Sequence, residues 1–142
     1  EERGIPTWTP ERKLEMLREP VDAVVVNAAG GTLDRATVEA CVANTRLRVV
    51  CGSENLAMPD PSVQVLLQRA HKAYAPTELG GMMGYLTAVE EYLAREAGVP
   101  FAIETLLEAA KKLDEAGFRT TERLRANDFR ETFEEAVTAV YA

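Results

Sequence analysis

Short valine-rich runs alternate with a helical period in the first part of the chain. The runs Ala23 to Val26 and Leu47 to Cys51 are each followed closely by glycine. Between them the apolar positions recur with the period of a helix, whose inner face is Val38, Cys41 and Val42. A strand, a helix and a second strand in this order are typical of a parallel βαβ unit. The pattern therefore predicts an α/β fold.

Further elements flank this unit on both sides. Before residue 80 we expect an edge strand over Gly4 to Trp8, a helix from Thr9 to about Arg18, a helix from Pro61 to about Ala70 capped by Asp60, and a third strand from Lys72 to Pro76. From Gly80 onward the period is helical, with helix ends predicted at Gly98 and Gly117, a short helical turn at Thr120 to Arg123, and a last helix from a cap at Asp128 to about Tyr141. We therefore divide the chain into a βα-repeat unit at 1–79 and a helical segment at 80–142.

Composition and charge narrow the classes of function. The chain has 142 residues, the size of one domain, and a net charge of −7, which argues against a nucleic-acid partner. No apolar run approaches the roughly 20 residues that span a bilayer, and there is no signal-peptide pattern. We expect a cytoplasmic protein without a membrane segment. Two cysteines, Cys41 and Cys51, do not make a disulfide framework and are interpreted as reduced core thiols.

Side chains that could carry catalysis are few. His71 is the only histidine and lies near the end of a polar helix, so the sequence favours a solvent-facing side chain over a catalyst. Without a second histidine or a cysteine cluster, no metal site is predicted. The charged pairs Glu90-Glu91 and Lys111-Lys112 are interpreted as solvated helix faces. The sequence therefore predicts no catalytic residue in this chain.

Two small polar turns follow the predicted central strands. The first contains Gly30-Gly31, and the second runs from Gly52 to Asn55. The carboxyl ends of parallel strands lie at one edge of a sheet, where α/β proteins bind their ligands. Glycine lets a backbone approach a ligand closely, although tight packing and ordinary turns also use Gly and Asn. Taken together, the two turns predict a ligand site at this edge.

Four blocks in order resemble the coenzyme domain of the glutamate/leucine/phenylalanine/valine dehydrogenases, and the leucine and valine enzymes are the closer comparison. The blocks are Asp22 to Gly31, Arg48 to Asn55, Ala73 to Pro76, and Gly80-Gly81. The tail segments at 115–118 and 122–127 resemble the closing helices of that family. The resemblance implies that the chain is the C-terminal half of a Rossmann-like parallel sheet followed by C-terminal helices, with residues 1–79 as a partial nucleotide-binding unit.

The resemblance also implies a function. Members of the family use NAD or NADP to convert an L-amino acid into a 2-oxo acid and ammonia, and a homo-oligomer is expected. The backbone of the first turn would line the dinucleotide, the asparagine of the second would contact the nicotinamide end, and the later glycine pair would precede the long helix beside the active cleft. The matching positions are, in that order, Ala28, Ala29 and Gly30, then Asn55, then Gly80 and Gly81.

The chain also departs from the family pattern. Leu56 and Glu78 replace asparagines, and the loop after Pro76 is shortened. The G-x-G-x-x-G turn, the acid that holds the adenine ribose, and the catalytic lysine and aspartate would belong to a portion before residue 1. We therefore expect a fragment or subunit that is completed by a preceding polypeptide or by another chain.

Two alternatives stay open beside the amino-acid dehydrogenase. The first is a catalytically inactive, dehydrogenase-derived module for assembly or regulation, which the Leu56 and Glu78 changes suggest. The second is a small acidic domain of an unrelated α/β type that binds oxo acids. The sequence leaves open which amino acid is the substrate and whether the coenzyme is NAD or NADP.

Overall fold

The structure is a computed structural model that describes residue 4 and residues 6–142. The described residues form three strands and six α-helices. The strands are β1 (Ala23–Val26), β2 (Val49–Gly52) and β3 (Ala73–Tyr74). The helices are α1 (Lys13–Met16), α2 (Arg35–Ala43), α3 (Gln64–Arg69), α4 (Thr77–Ala97), α5 (Ile103–Ala126) and α6 (Phe133–Tyr141). Single 3-10 turns, Pro10–Arg12 and Pro61–Val63, lead into α1 and α3.

The strands form one parallel sheet in the order β1-β2-β3. Val26 pairs with Gly52 at the carboxyl ends of β1 and β2, and Val50 pairs with Tyr74. The α/β fold predicted from the sequence is therefore confirmed. One face of the sheet, which carries Val24 and Val50, is buried in the main apolar cluster. The opposite face is open in part, since Val25 is 60% exposed.

Local capping explains where several elements begin and end. Asp34 accepts a hydrogen bond from Thr37 N at 2.8 Å and so caps α2. Asp60 does the same for the turn before α3, through Ser62 N at 3.0 Å. Gly98 ends α4 with a φ of 66°, a left-handed conformation that favours glycine. The predictions at Asp60 and Gly98 are confirmed.

Two predicted helix boundaries are wrong. Helix α5 continues through Gly117 to Ala126 and includes the stretch predicted as a separate turn; a single glycine costs a helix only about 1 kcal/mol. Asp128 does not cap α6 but lies in the connection before it, with a φ of 58°. The cap is Thr132, which forms a reciprocal capping box with Glu135.

The N-terminal predictions also change. The expected edge strand at Gly4 to Trp8 includes Ile5, which lies outside the described residues, and residues 6–8 contain no strand. The helix expected from Thr9 to Arg18 is reduced to a 3-10 turn and the single turn of α1. A run this short lacks the hydrogen bonds that make longer helices cooperative.

Two separate apolar clusters hold the described residues together. The larger joins the sheet to α2 and α3, and the smaller centres on Leu124, Phe133 and Ala136 between α5 and α6. A row of polar contacts, here called the α3 seam, connects one face of α3 and the turn after it to the C-terminal helices. The seam consists of Gln64 Nε2 to Glu134 Oε2 at 2.9 Å, Gln68 Nε2 to Arg130 O, and His71 Nδ1 to Asp128 Oδ2 at 2.8 Å.

The long helices expose many apolar side chains. Around the α4–α5 connection, Tyr92 and Leu93 are each 54% exposed, and Phe101, Ile103 and Leu107 are exposed as well. The predicted apolar faces of these helices are therefore only partly covered within the described residues. None of the helices formed by residue 4 and residues 6–142 is long and apolar enough to cross a membrane.

Candidate functional site

The two turns predicted as a ligand site meet at one edge of the sheet. They follow Val26 and Gly52, which are paired partners in β1 and β2. Asn27 Oδ1 accepts hydrogen bonds from both the N–H and the hydroxyl of Ser53, each at 2.9 Å. The two turns thus lie next to each other as predicted, and the Asn27 side chain connects them.

The first turn is fastened to the second mainly through its backbone. The N–H groups of Ala28 and Thr32 donate to the carboxylate of Glu54, at 3.2 and 2.9 Å. Gly31 N donates to the backbone oxygen of Leu56 at 3.0 Å. Because parallel pairing places the two turns side by side, these contacts connect residues about 25 positions apart in the chain.

Glu54 is a site residue that sequence reasoning missed. Its side chain is 2% exposed, although charged residues are rarely buried without partners. Burial raises the pKa of Glu54, but the hydrogen bonds from Thr32, Ala28 and Gly30 outweigh it and hold the pKa below the usual value. The available signal in the sequence was a carboxyl group within the second turn, yet a glutamate in a turn is ordinarily solvated.

Glycines at the strand ends allow α4 to approach β2 closely. A Cβ on Gly80 would lie 2.0 Å from Gly52 O, and one on Gly52 would lie 2.0 Å from Val26 O. A Cβ on Gly81 would meet Ser53 O at 3.3 Å. Gly80 and Gly81 were expected before the long helix, but they lie within the first turns of α4. Backbone packing against β2 is a sufficient reason for glycine at position 80.

An open cleft of about 490 Å³ lies between the second turn and the start of α4. Asn55 is exposed there, and its side chain makes no hydrogen bond within the part of the chain that the structure describes. The remaining lining residues are Ser53, Thr77, Glu78, Gly81, Met82, Gly84 and Tyr85. The cleft thus offers an amide, hydroxyl groups and a carboxylate to a ligand.

Thr77 adds an unusual polar group to this cleft. The residue is fully buried, and its Oγ1 has no hydrogen-bond partner among the described residues. Burial raises the pKa of the neighbouring Tyr74 to about 12, while the Thr77 hydroxyl acts weakly in the opposite direction. We interpret this as proximity without a well-formed hydrogen bond. A buried hydroxyl without a partner is costly in free energy unless a ligand or water satisfies it.

The candidate residues fall into two groups around the Asn55 backbone. Ala28, Ala29 and Gly30 are exposed on the first turn, and a Cβ on Gly30 would lie 3.4 Å from Asn55 O. Asn55 and Gly81 line the cleft on the other side. Gly80 lines a different cavity, an apolar one of about 620 Å³ between α4, α5 and α6. The structure therefore brings all six candidates to one edge of the sheet, where Gly80 packs against the backbone of Gly52.

His71 lies apart from this edge. It precedes β3, at the amino end of that strand, and contacts Asp128. Because the candidate turns follow the carboxyl ends of β1 and β2, His71 belongs to the opposite end of the sheet. Among residue 4 and residues 6–142, no three His, Cys, Asp or Glu side chains are grouped to hold a metal ion.

No protein-family model matches the chain, and the search of curated proteins finds no relative for it.

Proposed function

We propose that this chain is the C-terminal half of the coenzyme domain of a cytoplasmic NAD- or NADP-dependent amino-acid dehydrogenase. Three parallel strands in sequential order are what the second half of a Rossmann-like sheet requires. The observation that carries the proposal is the junction at the strand ends. There the exposed Asn55 amide, which has no hydrogen-bond partner among residue 4 and residues 6–142, lies beside the Gly30 turn and a cleft.

The exposed face and edge of the sheet support the proposal that a further half of the coenzyme domain packs there. Parallel sheets are normally covered on both faces by helices, yet Val25 on β1 is 60% exposed and Val49 on β2 is 36% exposed. Among the strands that the structure describes, β1 has a neighbour on one side only. In the proposed enzyme, a further polypeptide portion pairs with β1 and supplies the G-x-G-x-x-G turn, the catalytic lysine and the aspartate. The apolar side chains around the α4–α5 connection would serve contacts within a homo-oligomer.

In this arrangement the present chain binds and orients the coenzyme. The Asn55 amide has both a donor and an acceptor, which matches a carboxamide such as that of nicotinamide. Ala28, Ala29 and Gly30 present an exposed backbone with no bulky side chain to a flat ligand. The amino-acid or 2-oxo-acid substrate would occupy the cleft beside Met82 and Tyr85.

A specific observation favours the second candidate, an inactive module for assembly or regulation. Leu56 is 69% exposed beside the site and holds a φ of 52°. Glu78 places a carboxylate at the start of α4, on the cleft where an anionic substrate would bind. Apolar and acidic side chains at these positions suit a protein contact better than a 2-oxo acid.

Titration with NADH separates the two candidates. We expect saturable binding, which is measured through the fluorescence of Trp8 and of the reduced nicotinamide. The Asn55→Ala variant should bind about three- to tenfold more weakly, since one hydrogen bond is lost. Asp114→Asn, an exposed change on α5, is the matched control and should bind as the parent does.

The inactive module is supported by a folded chain that does not bind NADH, alone or together with the nucleotide-binding portion of a leucine dehydrogenase. Binding that appears only with the added portion supports the half-site. Equal affinity in the parent and in Asn55→Ala would contradict the assignment of Asn55.

A further inference from the structure

The backbone N–H groups of the β1–α2 loop converge on an internal anion. Glu54 accepts from Thr32 N at 2.9 Å and from Ala28 N at 3.2 Å while remaining 2% exposed. Successive backbone N–H groups in a glycine-containing turn form a cradle that commonly binds a phosphate or another anion. Here a carboxylate of the chain itself fills that position.

Two further donors of this loop are also engaged. Gly31 N donates to Leu56 O at 3.0 Å, and Leu33 N donates to Ala57 O at 2.8 Å. Four amides of the loop therefore point into the segment that follows β2. An anionic ligand would have to displace these bonds and approach a buried carboxylate of the same sign, which is unfavourable at short range.

We propose that Glu54 is a positioning residue that fills the amide cradle of the β1–α2 loop, so that the loop receives an uncharged part of its ligand and excludes phosphate. The side-chain groups left for a ligand at this edge are the Asn55 amide, the hydroxyls of Ser53 and Thr77, and the Glu78 carboxylate, none of which is cationic. These suit ribose hydroxyls or a carboxamide. The ligand's identity rests on the proposed function, whereas the filled cradle rests on the contacts of Glu54 alone.

The local charge supports this assignment. The same hydrogen bonds keep the pKa of Glu54 below the usual value despite its burial, so the carboxylate is ionised at neutral pH. Charge-assisted hydrogen bonds are about twice as strong as neutral ones. Thr32 precedes the α2 cap by two residues, so Glu54 also fixes the entry into that helix.

The first experiment empties the cradle. In Glu54→Ala, amide hydrogen exchange at Ala28 and Thr32 should become about 10- to 100-fold faster, because each amide loses a charge-assisted bond. Added formate should restore protection at both amides, since a small carboxylate fits where the side chain was removed. Inorganic pyrophosphate should shift the Ala28 and Thr32 resonances in Glu54→Ala but not in the parent chain.

Two variants serve as controls. Glu54→Gln keeps the side-chain volume, so formate should not enter and protection should stay low at one of the two amides. Asp60→Ala removes an exposed carboxylate that accepts a backbone bond from Ser62 nearby. It should affect exchange at Ser62 and leave Ala28 unchanged.

Unchanged exchange at Ala28 and Thr32 in Glu54→Ala would overturn the proposal. So would lost protection that formate leaves unrestored, or a parent chain whose loop resonances shift with pyrophosphate. If Glu54→Ala fails to fold, the parent chain gives the answer through scalar coupling across the hydrogen bonds. Coupling from the Glu54 carboxyl carbon to the Thr32 and Ala28 amides supports the cradle, and its absence refutes it. None of these measurements uses NADH, so a failed coenzyme titration would contradict the proposed function and not the role of Glu54.

Discussion

Adding one methyl group at Gly80 tests whether close packing explains this glycine. In Gly80→Ala the new Cβ would lie 2.0 Å from Gly52 O and 2.9 Å from Gly52 C, both backbone atoms. Neither partner can rotate away as a side chain would. Gly52 cannot retreat toward β1, because it already lies against the Val26 backbone with a φ of 152°. The start of α4 must therefore move outward.

The magnitude follows from the distances. An ordinary contact begins at 3.4 Å, so α4 must shift by about 1.4 Å relative to β2. Overpacking of this kind typically costs about 1–3 kcal/mol, and replacing glycine by alanine within a helix returns up to about 1 kcal/mol. We expect a net loss of about 1–2 kcal/mol in the free energy of unfolding. Gly84→Ala in the same helix meets no atom within 4 Å and should gain about 1 kcal/mol.

Urea denaturation followed by circular dichroism at the helix band measures both variants against the parent. We expect the urea midpoint of Gly80→Ala to lie below that of the parent and the midpoint of Gly84→Ala to lie above it. Gly80→Ala that is as stable as Gly84→Ala would refute the packing argument. If that variant were stable but did not bind NADH, position 80 would instead border a ligand.

Three further outcomes follow from single side chains. Asp34→Ala removes the cap of α2. The hydrogen bonds from the Thr37 N–H and from Lys13 lower the pKa of this carboxyl group to about 2. Its loss should reduce the free energy of unfolding by about 1 kcal/mol, as measured by urea denaturation. Lys72→Met removes the bonds from the Lys72 Nζ to Asn44 O and Leu47 O, each at 2.7 Å. Asn44 O keeps only the longer bond from Leu47 N at 3.2 Å, so the change should cost about 2 kcal/mol in the same assay. Because the folded-state pKa of both Asp34 and Glu54 is lowered, their contribution is complete above about pH 4.3 and is lost as the pH falls through the folded-state values. Thermal midpoints measured down to pH 2 should therefore decrease, and less so in Asp34→Ala; equal decreases would contradict this assignment.

Features set by neighbouring residues were predictable from the sequence. The parallel βαβ unit follows from apolar runs and a helical period, and the caps Asp34 and Asp60 follow from residue type and position. Strand β2 begins two residues later and ends one residue later than its predicted apolar run, and β3 keeps only Ala73–Tyr74 of the predicted third strand. Local pattern thus identifies an element better than it identifies the last paired residue.

Features that depend on distant residues were not predictable. The burial of Glu54 requires amides from a turn 22 to 26 positions earlier in the chain. The position of Gly80 inside a helix contradicts local propensity. Its reason is Gly52, which the pairing of β2 with β3 and the short β3–α4 connection bring alongside. Both are consequences of the fold and not of the sequence around them.

The α3 seam has a consequence for how the molecule opens. The apolar cluster of α5 and α6 is separate from the one around the sheet. It meets the sheet side through Ala75, which follows β3, and through exposed polar contacts such as His71 with Asp128. Exposed pairs of this kind contribute at most about 1 kcal/mol each. Helices α5 and α6 are therefore expected to unfold together as one cooperative unit while β1 and β2 stay paired. A ligand cleft that borders α4 would then be built next to the least stable part of the molecule.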